Sequence, residues 1–327
     1  MTDTSGGAVG SQRAGVRHLR VDAEAAGQRV DNFLLGQLKG VPRSLVYRLL
    51  RRGEVRVNKG RAKPHQRLAA GDEIRLPPVR TAAATTVGDV PVRVMNDLAA
   101  RILYEDDRVL VLDKPAGLAV HGGSGIAHGV IEALRAARPG AALELVHRLD
   151  RDTSGCLIIA KRRSALRFLH AQLRADQVYK RYQALLLGPL GGRVQRVELP
   201  LRKNLLQGGE RMVRVDHADG KPALTVFRRV AAYGGMTLVD VELHTGRTHQ
   251  IRVHAAGIGA PVAGDDKYGR PEDRALAREL GLNRLFLHAA ELRFRPREDV
   301  APVTVAAPLP AELAAVLTRA EDHDRAL

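Results

Sequence analysis

A chain of 327 residues with 45% hydrophobic content is long enough for two domains with buried cores, and its single cysteine, Cys156, excludes an internal disulfide and a cysteine-based zinc site. It has no apolar run of about eighteen residues, and Met1 to Gly10 lacks the basic-then-apolar order of a secretory signal, so the expectation is a cytoplasmic protein with no membrane partner. The 52 Lys and Arg against 36 Asp and Glu leave a net charge of +16, which points to a polyanionic partner, nucleic acid first.

Residues 1–17, rich in Gly, Ser and Thr without apolar periodicity, are expected to form a disordered tail. A small α+β module is predicted over 18–80. Val30, Phe33, Leu34 and Leu38, then Val46, Leu49 and Leu50, recur at helical spacing up to Gly53; Val55 to Asn58 and Glu73 to Leu76 read as strands. Between Arg43 and Arg67 stand nine basic residues (Arg43, Arg48, Arg51, Arg52, Arg56, Lys59, Arg61, Lys63, Arg67) against one acid, Glu54. The helix from Arg43 to Arg52 turns its apolar positions inward, so its arginines face solvent, where phosphates can meet them. Arg29 to Leu34, Pro42-Arg43-Ser44, Gly53 to Asn58 and Ala70 to Ile74 resemble the S-four type RNA-binding module. That resemblance assigns RNA contacts to Arg43, Arg48, Arg51, Arg52 and Lys59.

Pro77-Pro78 and the Ala/Thr-rich run from Thr81 to Thr86 predict a linker over 81–99. A larger domain is expected over 100–327. Val109 to Leu112 is a continuous apolar strand ended by Asp113-Lys114-Pro115, and Thr237 to His244 alternates as a half-exposed strand. Helices near Ile126 to Ala136 and Ser164 to Arg174, set among many short strands, predict an α+β domain with a mixed, largely antiparallel sheet. No internal repeat or nucleotide-binding glycine signature is present.

The densest chemistry lies in His147-Arg148-Leu149-Asp150-Arg151-Asp152-Thr153-Ser154-Gly155, which displays a carboxylate at a turn before the apolar run Cys156 to Ala160. A lone loop aspartate more commonly caps backbone amides, so Asp150 gains weight only from partners elsewhere. Those partners stand in Gly246 to His254. There the strand through Leu243 breaks at Thr245-Gly246, and Thr248 is placed to cap a helix on which His249, Arg252 and Val253 share a face. An inward Arg252 needs an acid, and pairing with Asp150 would keep that carboxylate ionised and oriented. The even spacing of His244, His249 and His254 fits no single helical face and no acidic cluster accompanies them, so no metal is expected. Asp150 and Asp152 as a glycosidase pair is the weakest reading, since two carboxylates about 7 Å apart on one short loop cannot flank a sugar from both sides.

His147 to Asp150 with Thr153 to Gly155, Lys180-Arg181-Tyr182, Gly246 to His254, Gly264 to Gly269 and Arg284 to Ala289 together resemble the pseudouridine synthases typified by the ribosomal large-subunit enzymes. Lys114 to Gly117, Val120 to Gly125 and Asn204 to Arg211 extend the resemblance over nearly the whole chain. It implies isomerisation of uridine within large-subunit (23S) rRNA, with no cofactor. Asp150 would be the essential carboxylate, either attacking the sugar or abstracting a sugar proton. Tyr182 would stack on the uracil and help remove the proton from ring carbon five, and Arg252 would pair with Asp150. Arg148 would fill the gap left by the extruded base, with Arg247 and His249 also contacting RNA, in a protein expected to be monomeric. The competing expectation is a catalytically silent RNA-binding factor in ribosome assembly, in which Asp150 only stabilises a turn.

Overall fold

The computed structural model describes residues 15–38, 41, 43–79, 90–122, 128–205 and 211–326. It divides into Met1–Asp89 and Val90–Leu327. The first unit runs β1 (Arg17–Arg20), α1 (Val30–Gln37), α2 (Arg43–Arg52), β2 (Arg56–Val57), β3 (Gly60–Arg61) and β4 (Glu73–Leu76). Its strands make an antiparallel sheet in the order β1-β4-β2-β3. Val30, Phe33 and Leu34 of α1 and Val46, Leu49 and Leu50 of α2 pack with Val55, Val57, Ile74 and Leu76 into one core. Helical spacing therefore leaves Arg48, Arg51 and Arg52 exposed. Asp31, buried at the start of α1, accepts hydrogen bonds from Arg29 Nε (3.0 Å) and the Tyr47 hydroxyl (2.9 Å), which ties the two helices together. The β2–β3 hairpin turns on Asn58 (φ 49°) and Lys59 (φ 67°), the left-handed pair of a two-residue hairpin loop. Asn58 is held there by Asp72 and by the Glu73 N–H, both at 2.9 Å, and the turn presents Lys59 to solvent.

The second unit opens with α3 (Val92–Ala100), β5 (Ile102–Glu105), β6 (Val109–Lys114), α4 (Val130–Ala137), β7 (Glu144–Leu145), β8 (Ser154–Ala160), α5 (Arg163–Arg174) and β9 (Tyr179–Leu187). It continues through β10 (Val194–Glu198), β11 (Leu201–Leu205), β12 (Arg211–Val215), β13 (Leu224–Tyr233) and β14 (Met236–Leu243). It closes with α6 (Gln250–Gly257), α7 (Pro271–Glu279), β15 (Leu287–Phe294), β16 (Val303–Ala306) and α8 (Ala311–Ala326). One mixed sheet runs β10-β13-β14-β9-β15-β8-β6-β5, with β16 added to β15 and β7 to β8. β11 and β12 form a separate hairpin. Among the described residues only β15 and β8 pair in parallel, through His288–Ser154 and Ala289–Gly155, so the expected α+β fold with a mixed, largely antiparallel sheet is what forms. That parallel contact is close: Gly155 sits at φ +104°, and a Cβ there would lie 2.3 Å from the Ala289 carbonyl oxygen.

The expected boundaries change in three places. Strand β1 already includes Arg17, while the rest of the expected tail, residues 1–14, lies outside the described residues. Within the stretch read as linker, 81–89 lies outside the described residues, but Val92–Ala100 is helix α3, begun at Pro91. Val90, Val94 and Leu98 recur every four residues and, with Met95, pack on the core of the second unit, a periodicity that the neighbouring Ala/Thr/Pro composition concealed. The strand expected to stop at Leu112 continues through Lys114. Among the described residues no helix is long and apolar enough to cross a membrane.

Candidate active site

The loop bearing Asp150 is anchored from three sides before it enters β8. His147 Nε2 accepts the Ile158 N–H at 3.0 Å; burial first, then the Lys180 charge, pushes this imidazole down to about 4, which keeps it neutral and able to accept. The fully buried Lys114 donates to the carbonyls of Pro115 (2.7 Å), Leu118 (2.9 Å) and Arg151 (2.9 Å), so one ammonium clamps the residue after Asp150 to the turn that follows β6. Burial pushes Lys114 down to about 7 against the opposing charges of Asp152 and Asp150. Ser154, the first residue of β8, hydrogen-bonds His288 Nδ1 at 2.9 Å, and His288 Nε2 lies 3.2 Å from the Ala307 carbonyl. Because that carbonyl can only accept, Nε2 carries the proton, the Ser154 hydroxyl donates to Nδ1, and Arg284 Nη2 donates to Ser154 at 3.0 Å. The motif from Arg284 to Ala289 thereby locks β15 to the base of the Asp150 loop.

Opposite this loop, β14 ends and the chain turns into α6. Gln250 organises the turn: its Oε1 accepts from the Thr245 hydroxyl (2.7 Å) and the Arg247 N–H (3.0 Å), and its Nε2 donates to Leu224 O (2.9 Å). The residue capping α6 is His249, in the left-handed conformation at φ 52°, and not Thr248 as spacing suggested. The unusual backbone turns the His249 ring inward, where Nδ1 meets the Tyr268 hydroxyl at 2.7 Å and Nε2 lies 3.8 Å from the Asp150 carboxylate. The Tyr268 oxygen also accepts the Val213 N–H at 3.0 Å; with the hydroxyl proton on Nδ1, the ring N–H faces Asp150. Burial lowers the His249 pKa, opposed by the charge of Asp150.

Arg252 is oriented differently from expectation. Its Nε and Nη2 bind the buried Asp265 at 2.7 and 2.6 Å, and only Nη1 reaches towards Asp150, at 4.0 Å. Burial works against the Arg252 charge, and the two-pronged bond to Asp265 raises its pKa in spite of that. Asp265 Oδ1 also accepts the N–H groups of Lys267 (2.9 Å) and Tyr268 (3.0 Å), and the Arg252 guanidinium sits 5.1 Å from the Tyr268 ring centre. The approach of Arg252 to Asp150 is thus made by one edge of an arginine whose other edge is held by Asp265. Asp265 and Tyr268, within Gly264 to Gly269, carry no role that linear spacing reveals, because nothing in that spacing aims their turn at α6.

Arg148, Asp150, Tyr182, Arg247, His249 and Arg252 line one cavity of about 90 Å³. The Asp150 side chain is 18% exposed and, among the described residues, its carboxylate takes no hydrogen bond, so it does not cap backbone amides. Tyr182, on β9, is 7% exposed; burial, then the Asp150 charge, pushes its phenol upward, leaving it protonated at neutral pH. Arg148 and Arg247 are exposed at the rim, the latter donating to Pro222 O at 3.2 Å. Asp152 pairs with Arg151 at 3.1 Å and does not line the cavity. The three histidines diverge: His244 meets Asp176, His249 meets Asp150 and Tyr268, and His254 lies against Leu199 O. Arg48, Arg51, Arg52 and Lys59 are exposed on the first unit, and the Arg43 side chain lies outside the described residues, as do Pro42, Gly123 to Gly125 and Leu206 to Glu210 of the quoted motifs.

The chain belongs to the RNA pseudouridylate synthase family, whose members are isomerases: the family's model matches residues 108–257, an S4 domain model matches 28–74, and relatives more than half identical cover most of the sequence. Those relatives are named Ribosomal large subunit pseudouridine synthase C. The one from Escherichia coli (strain K12) is 56% identical over 286 residues, 85% of this chain and 88% of its own length. The one from Yersinia pestis is 52% identical over 300 residues, 91% of this chain and 93% of its own. Among solved structures, Human RNA Pseudouridylate Synthase Domain Containing 1 is 29% identical with a TM-score of 0.53, covering 63% of this chain and 82% of that one. Human RNA Pseudouridylate Synthase Domain Containing 4, at 24% identity and a TM-score of 0.59, covers 70% of this chain and 95% of that one and shares the fold.

Proposed function

We propose that this enzyme isomerises specific uridines of large-subunit (23S) rRNA to pseudouridine, as a cytoplasmic monomer, with Asp150 as the reacting carboxylate. The observation that carries the reading is the Asp150 carboxylate itself, uncommitted to any hydrogen bond among the described residues, in a pocket walled by Tyr182 and faced by His249 at 3.8 Å and Arg252 at 4.0 Å. In the reaction the bond from ribose carbon one to ring nitrogen one breaks and a bond to ring carbon five forms. A proton leaves carbon five and nitrogen one gains one, so the balance calls for no cofactor or energy source. A carboxylate serves this chemistry by acting on the ribose, and the cationic edge of Arg252 with the Nε2–H of His249 favours its anion.

We assign Tyr182 to stacking on the uracil. A buried phenol whose proton is retained at neutral pH is a poor base, so removal of the carbon-five proton is the less favoured of the two roles expected of it. Arg148, exposed at the rim, fills the space vacated by the extruded base, whose unstacking costs a few kcal/mol. Phosphate contacts from the exposed face of α2 and from Lys59 offset that cost.

The test is Asp150→Asn with unmodified large-subunit rRNA labelled with tritium at uridine carbon five. Tritium release is abolished while RNA affinity stays within a few-fold of the parent. Full release by Asp150→Asn refutes the assignment, and a parent chain that binds RNA without release is the silent assembly factor.

A further inference from the structure

Adjoining the pocket at Asp150 is a second concavity of about 830 Å³, within the size range of small-ligand sites. The two share Leu243 as a common wall. Tyr179 and Lys180, on opposite faces of the start of β9, line this cleft with Arg293 near the end of β15 and Arg295 just beyond it; Tyr179 stands three residues before Tyr182.

Its charges are lopsided. The two acids that line it are already engaged: Glu242 accepts from Arg228 Nε at 3.0 Å, and Asp176 pairs with His244 at 3.2 Å. Among the described residues, the side chains of Lys180, Arg293 and Arg295 have neither a hydrogen bond nor an ion pair. Lys180 is half-buried; desolvation disfavours its ammonium, the Asp176 charge offsets this only in part, and an arriving anion relieves the remainder. The exposed Arg293 guanidinium lies over the Tyr179 ring, 5.6 Å from its centre, forming a cation–aromatic platform. Unpaired cations beside such a platform are the features on which single-stranded nucleic acid is held, by phosphate contact and base stacking.

We propose that this cleft is a second RNA subsite that takes a nucleotide flanking the target uridine, its phosphate on Lys180 and Arg295 and its base on the Tyr179–Arg293 platform. The proposal rests on the RNA reading of the pocket at Asp150: once the target base is in that pocket, the adjoining strand passes Leu243 into the cleft. Specificity for the neighbouring base then arises here, away from the reacting atoms.

Tritium release from an unmodified large-subunit rRNA transcript, followed over a salt series with the full chain, tests this. Arg293→Ala and Tyr179→Ala each raise KM about tenfold with kcat within about twofold. Tyr179→Phe restores the parental KM, because the stacking face survives. Lys180→Gln lowers the slope of log affinity against log salt by about 0.7, the loss of one single-strand phosphate contact. Arg293→Ala removes an exposed side chain and leaves the fold intact, so parental KM and salt slope in that variant overturn the subsite even where Lys180→Gln misfolds. A parent chain that releases no tritium overturns the underlying reading instead, whereas an active parent with unaffected variants overturns the subsite alone.

Discussion

Arg252 commits its two-pronged contact to Asp265, at 2.7 and 2.6 Å, and offers Asp150 only the remaining nitrogen, at 4.0 Å. A guanidinium held by a buried acid is rigid, so its free edge is aimed before substrate arrives. The same acid gathers the Lys267 and Tyr268 N–H groups, which places the Tyr268 hydroxyl against His249. Asp265 is therefore a positioning residue for Arg252 directly and, through Tyr268, for His249, the two neighbours of Asp150.

Asp265→Ala leaves Arg252 buried without its principal partner, and chemical denaturation is expected to show a loss of about 3–5 kcal/mol. Asp265→Asn keeps the shape and loses the charge; tritium release falls more than tenfold while RNA affinity, set largely by phosphate contacts, changes little. A parental kcat in Asp265→Asn would remove it from the positioning of Arg252.

Lys114 carries a pH signature. Its folded pKa of about 7 lies below its ordinary value of 10.5, so between these pH values the unfolded chain binds more protons than the folded one. Stability from this group therefore rises with pH through that window, and the burial penalty is fully present below pH 7. Lys114→Met abolishes this contribution to the slope of unfolding free energy between pH 7 and 9. The three carbonyls it served lose their donor, at about 1–3 kcal/mol each where no water replaces it. Identical slopes in parent and variant would show that Lys114 does not titrate there.

Gly155→Ala introduces a Cβ 2.3 Å from the Ala289 carbonyl oxygen at a backbone φ of +104°. The β8–β15 contact must open, which moves the chain immediately after the Asp150 loop. We expect a melting temperature several degrees lower, from a cost of more than about 1 kcal/mol, and loss of kcat beyond what the lost stability explains. Normal melting and turnover would mean that the parallel contact relaxes freely.

A fragment beginning at Val90 should fold alone, because the second unit has its own core, assembled from Val90, Leu98, Leu110 and their neighbours. Its RNA affinity falls, and its salt dependence becomes shallower by the number of phosphate contacts that the first unit supplied. Unchanged affinity and slope would argue against the α2 face as an RNA contact.

Much of this was legible in the linear order of residues. Period-3.6 and period-2 patterns act over a few neighbours, so α1, α2, α5, β6 and β14 could be read with small errors at their ends. The exposed arginines of α2 follow from the same periodicity, and the carboxylate at Asp150 was visible because a charged turn ran straight into an apolar strand. Helix α3 is hidden in the sequence because an Ala/Thr/Pro-rich composition adjoins its four-residue apolar spacing.

The family, the two-part organisation and the displayed carboxylate could be read from the residues in order, since these rest on local pattern and on dense motifs. Which side chain holds which depends on the folded geometry. Asp265 stands thirteen residues beyond Arg252, Lys114 lies 37 residues from the carbonyl of Arg151 that it clamps, and His249 faces inward because of one left-handed backbone angle. Such pairings are set by how sheet and helix close on one another, and a short-range pattern carries no record of that geometry.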